Sequence, residues 1–149
     1  MAGNKRPRKQ YRPKQQCLPK TIALGRDATW RLQMVPHQQL EKMREGLGDE
    51  ISWNTLACRL NVGLTLADRW FPLLKSDIDD ALAALREVWL RYEMLRKMGV
   101  NGDQFRIIGR GLVFTDEMQT QCTRREIMGV TDEVFSKAAI YDEEVKRAA

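Results

Sequence analysis

The chain has 149 residues and a formal net charge of +5, from 25 Lys and Arg against 20 Asp and Glu, with a single histidine. That length suits one domain able to bury a core without staples. Three widely spaced cysteines (Cys17, Cys58, Cys122) form no CxxC pair; with His37 alone they exclude a locally encoded zinc set and read as reduced thiols.

The charge is unevenly placed. Residues 1–20 hold Lys5, Arg6, Arg8, Lys9, Arg12, Lys14 and Lys20 and no acid. Without these seven, the remaining 18 basic and 20 acidic residues leave a body at −2. Pro7, Pro13 and Pro19 remove backbone donors and disfavour helix before them. The composition predicts a basic, extended arm over residues 1–20 and a single helical domain over 21–149. Lys5, Arg6, Arg8, Lys9, Arg12 and Lys14 suit contacts with the phosphate backbone of DNA or RNA, and Tyr11 suits one stacking contact. An acidic protein surface is the competing partner, and a solubilising tail or nuclear-type address is the reading without a ligand. No apolar run approaches 18 residues, so no membrane span is expected. The basic N-terminus lacks a following apolar stretch, which argues against a secretory signal and for a bacterial cytoplasm.

Thr21 to Val35 is open: Ile22 and Leu24 fit a short extended piece, and Asp27 fits the cap of a short helix carrying Trp30, Leu32 and Met34. Pro36 suits the first position of a new helix running to about Glu45, with Leu40 and Met43 inward and Gly46 and Gly48 ending it. His37 would lie in its first turn, exposed or capping. A helix is expected over 52–70, started by Ser52, with Ile51, Leu56, Leu60, Leu64 and Ala67 inward and Trp53 and Trp70 near its ends. Residues 55–71 also resemble a helix-turn-helix: Ala57 is the small residue, Asn61 and Gly63 fall near the turn, and Arg69-Trp70 end the recognition helix. Against that stands the lack of outward donors for base edges in Leu64 to Trp70. One continuous apolar helix explains the same residues.

Pro72 should end the segment and lead into a hairpin with Ser76–Gly99, the best-specified helix of the chain. Ser76 fits its N-cap, Asp77, Asp79 and Asp80 its positive dipole end, and Gly99 its C-terminus. Ile78, Ala81, Leu82, Leu85, Val88, Trp89, Tyr92 and Leu95 form the stripe. Residues 103–114 fit a helix through Phe105, Ile108 and Leu112, and a β-hairpin about Gly109–Gly111 competes. Thr115 fits the cap of another helix carrying Met118, Cys122, Ile127 and Met128, with Arg124 and Arg125 solvated. Gly129-Val130-Thr131 is either a break before a last helix over Val134, Phe135, Ala138, Ile140 and Tyr141, or the interior of one long helix. The expected architecture is therefore all-α, five to six helices.

No nucleophile elbow, P-loop or Glu-x-x-His is present, and no sequence neighbour makes His37 a catalytic base. No catalytic residue, metal ligand or cofactor is expected. The arm KRPRKQYRP, then WRLQMVPHQQL, SWNTLACRLNVG and TDEMQTQCTRREI, together resemble small uncharacterised helical proteins of bacterial phages and prophages. The resemblance implies an accessory role in a bacterial host and carries no activity. The expected function is non-catalytic nucleic-acid binding through the arm. The alternative is a protein-binding modulator of a host enzyme or defence complex, and the third reading is a helix-turn-helix regulator.

Overall fold

The computed structural model describes residues 26–148, with side chains described for most of them. Five α-helices follow one another: α1 (Arg26–Arg44), α2 (Glu50–Trp70), α3 (Lys75–Leu95), α4 (Gly102–Thr120) and α5 (Arg124–Ala148). A single 3-10 turn, Pro72–Leu74, joins α2 to α3. The chain is all-α over the described residues, as its periodicity predicts. The arm, Ile22 and Leu24 lie outside them.

The first four helices follow one another as antiparallel hairpins: Lys42 meets Asp49 across α1 and α2, Trp53 meets Leu85 across α2 and α3, and Arg91 meets Gln104 across α3 and α4. α4 packs on α1, α2 and α3, while α5 packs on α2. Two apolar clusters result. The first joins Leu40 and Met43 of α1 to Leu56 and Leu60, Leu85 and Val88, and Ile108 and Leu112. The second joins Leu66 and Ile78 to Met118, Ile127, Val130 and Val134. Leu82 packs against both. Each large side chain so buried contributes about 1.5–3 kcal/mol.

Two glycines let α2, α3 and α4 approach closely. A Cβ on Gly63 would lie 2.1 Å from Thr115 Oγ1, and one on Gly111 would lie 2.5 Å from Ala81 Cβ. Gly111 thus weakens α4 locally and admits α3 in exchange, so the 103–114 segment is helix and not hairpin.

Helix ends are where the structure departs most from the sequence reading. α1 continues through Pro36, which is buried; the carbonyl of Leu32 loses its donor there. There is no separate helix carrying Trp30, and Pro36 does not begin one. Gly46 (φ 78°) ends α1 as expected, with Gly46 N–H donating to Met43 and Leu47 N–H to Lys42, a Schellman arrangement. α2 starts at Asp49, not Ser52: the Asp49 carboxylate accepts from Ser52 N–H (2.8 Å), and the Ser52 hydroxyl accepts from Asp49 N–H (3.3 Å). Ile51 then points outward, 71 % exposed.

α2 is unbroken through Asn61 and Gly63, so the turn of a helix-turn-helix over 55–71 does not exist. Ser76 is not a cap either. The 3-10 turn feeds directly into α3, whose first turn makes no side-chain cap bond. α3 ends at Leu95, four residues before Gly99, with Arg96 after it in the left-handed region (φ 54°), because Met98 turns back to the core beside Met43. Leu95, expected inward, is 61 % exposed. α4 is capped by Asn101 and Gln104 reciprocally. Thr115 caps nothing: it is buried inside α4, its hydroxyl donating to Gly111 O at 2.8 Å. The true break is Gln121–Thr123, where Thr123 and Glu126 form a capping box for α5. α5 continues through Gly129, and Thr131 donates to Ile127 O (2.8 Å). No described helix is long and apolar enough to cross a membrane.

Candidate functional site

Lys5, Arg6, Arg8, Lys9, Tyr11, Arg12 and Lys14 lie outside the described residues. The body carries two features that the sequence did not announce, side by side.

The first is a polar junction of three helices. Asp116 of α4 meets His37 Nε2 of α1 at 2.9 Å through Oδ2, and accepts Arg59 Nη2 of α2 at 2.8 Å through Oδ1. Its side chain is 17 % exposed and that of Arg59 is 10 % exposed. Gln33 Nε2 donates to the Asp116 carbonyl at 3.5 Å. His37 is therefore half-buried and paired, rather than exposed or capping. Its partner stands 79 positions away, beyond any local motif. A charge pair this far from water barely repays its desolvation, yet removing one member strands the other and is strongly destabilising. The Arg59 Nε is buried and finds no partner among the described residues.

The second feature is an open apolar groove of about 620 Å³. Its floor is one face of α2, from Ile51 through Thr55 and Cys58 to Val62. Eleven rises of about 1.5 Å from Ile51 to Val62 make it roughly 16 Å long. Val35 and Pro36 form the α1 wall; Ile127, Thr131 and Phe135 form the α5 wall. α2 packs on both α1 and α5. Thr55 and Thr131 turn their hydroxyls onto Ile51 O and Ile127 O, so neither leaves its donor to the groove. Arg59 is the one charged residue in the lining, and Asp116 balances it.

Burial pushes the Cys58 thiol up from its usual range, so it stays protonated near neutral pH. No hydrogen bond joins it to His37 among the described residues, and a Cys–His pair needs one. Cys122 is pushed up by burial and then by Glu126. No group of His, Cys, Asp and Glu able to hold a metal ion occurs among the described residues. A second concavity, about 350 Å³, is lined by Asp77, Asp80, Asp103, Arg106, Ile107 and Arg110. Its charges largely answer one another: Arg106 pairs with Asp103, and Arg110 approaches Asp77 at 3.9 Å.

Signals for the groove were present in the sequence only as scattered apolar residues, Val35, Ile51, Val62 and Phe135, of which Ile51 and Phe135 read as part of inward helix faces. Read singly they look like core; only the packing leaves Val35 47 %, Ile51 71 % and Phe135 55 % exposed. Compared with protein-family models, curated proteins and solved structures, the chain shows no significant match to any of them.

Proposed function

We propose that this is a non-catalytic accessory protein that binds nucleic acid through its basic N-terminal arm, with the helical body as carrier. The carrying observation is the segregation of charge: seven Lys and Arg without an acid in residues 1–20, against a body at −2. A phosphate backbone rewards such a cationic run by releasing its condensed counterions, without demanding sequence-specific geometry. The unbroken α2 supports this reading over a regulator that inserts a recognition helix. Lys5, Arg6, Arg8, Lys9, Arg12 and Lys14 are the proposed phosphate contacts and Tyr11 the stacking one. A bacterial cytoplasm, within a phage or prophage programme, is the setting proposed from the resemblance of the chain.

The test is a salt titration of duplex and single-stranded nucleic acid binding by the full chain and by a chain lacking residues 1–20. The full chain should bind at low salt and weaken steeply as salt rises. The truncated chain should lose that binding while keeping its helical circular dichroism. Equal binding by both, or none by the full chain at low salt, refutes the proposal.

A further inference from the structure

We infer that the groove between α1, α2 and α5 is a binding site for a small uncharged molecule, an apolar body ending in one hydrogen-bond acceptor that meets Arg59. The inference is independent of the arm and begins with Arg59. That residue belongs to the groove lining, and its side chain is only 10 % exposed. A guanidinium carries five N–H donors. Among the described residues only Nη2 is engaged, by Asp116 Oδ1 at 2.8 Å, and the buried Nε has no acceptor. A donor shut away from water without a partner is costly, so an acceptor delivered to this guanidinium is rewarded.

The rest of the lining sets the class of ligand. Its walls are mostly apolar, from Val35 and Ile51 to Ile127 and Phe135. The hydroxyls of Thr55 and Thr131 donate within their own helices, and the Cys58 thiol stays neutral. No acid stands in the lining, so a cationic ligand finds no counter-charge. Arg59 is already balanced by Asp116, so an anionic ligand would share one cation with a second carboxylate in a poorly hydrated place. An uncharged molecule escapes both costs and still offers an acceptor. The volume, about 620 Å³, falls within the range of about 300–1,000 Å³ typical of small-molecule sites. The roughly 16 Å floor suits a medium-length alkyl chain or a fused-ring body.

The experiment is a fluorescence titration of the full chain with Nile red, an uncharged apolar dye bearing a carbonyl. The dye is then displaced by decyl acetate, decanoate or decylammonium, three probes that share a chain and differ in charge. Nile red should saturate at one site per chain. Decyl acetate should displace it at concentrations about tenfold below either ion. Phe135→Asp and Ile51→Glu, both at exposed positions of the lining, should keep their helical circular dichroism and weaken the dye about tenfold or more. Leu73→Asp, also exposed but away from the groove, should bind as the unaltered chain does. Arg59→Met together with Asp116→Leu removes the ion pair whole and strands neither charge. That double variant should lose about tenfold in affinity for decyl acetate, the worth of one hydrogen bond from a charged donor. Should it fail to fold, the order of the three probes still decides. The inference is overturned by absence of saturable dye binding, by equal displacement with all three probes, or by dye binding that survives both groove variants. A folded double variant with unchanged affinity for decyl acetate overturns it too. So does binding that appears only when residues 1–20 are removed, because the groove would then belong to the arm.

Discussion

A methyl group at position 63 has no room, and one at position 129 has nothing near it. The Cβ of an alanine at 63 would press on Thr115 Oγ1, a fully buried hydroxyl already fixed to Gly111 O at 2.8 Å. Alanine is favoured over glycine inside a helix by about 1 kcal/mol, but overpacking a dense core costs about 1–3 kcal/mol. At 2.1 Å from a side chain that cannot swing away, the steric cost wins. Gly63→Ala should lower the urea midpoint by an amount worth about 1–2 kcal/mol at unchanged slope. Adding Thr115→Ala should recover much of it. Gly129→Ala has the opposite sign: no atom lies within 4 Å of the new Cβ, so only the propensity gain remains, up to about 1 kcal/mol. Equal effects of the two single substitutions would show that close approach of α2 and α4 is not what Gly63 provides. Neither sign is readable from sequence, where both are simply glycines in helical stretches.

Among the elements, what could be foreseen divides cleanly by physical cause. The apolar stripes of α2 and α3 obey a 3.6-residue period, and the period alone brings Leu56, Leu60, Ile78, Leu85 and Val88 inward. Boundaries depend on which of several competent residues takes the cap, and that choice is tertiary. Ser52 and Asp49 can each cap; the chain uses both, with Asp49 outside and Ser52 answering from the first turn. Thr115 looks like a cap and is a helix interior, because Gly111 and Gly63 open the space it fills. The groove and the Asp116 junction were illegible for a different reason: their residues come from three helices, and no spacing rule links His37 or Arg59 to Asp116. The α2 cap also carries a pH signature. The Ser52 backbone N–H bond holds the Asp49 carboxyl below its usual range, helped by the Ser52 hydroxyl. A depressed carboxyl stabilises the fold above its unfolded pKa and loses that contribution as pH falls through its folded one. Asp49→Ala should therefore melt lower than the unaltered chain at neutral pH, and the gap should close below about pH 4, near the free carboxyl range. A gap that persists in acid would mean that Asp49 acts by something other than its charge, as a neutral acceptor to Ser52 still could.

At the scale of the whole molecule, the division of charge becomes a question of valency. A single arm offering six phosphate contacts would give log Kobs against log salt a slope of about −5 on duplex DNA. Replacing Lys5, Arg6 and Arg8 by alanine removes three of the six, so the slope should fall to about −3 while helical circular dichroism is unchanged. The chain without residues 1–20 should show almost no salt dependence. A common slope for the unaltered chain and the triple variant would place the phosphate contacts outside the arm. A graded series of three slopes would make the arm the contact, and the body, at −2, would add none of its own.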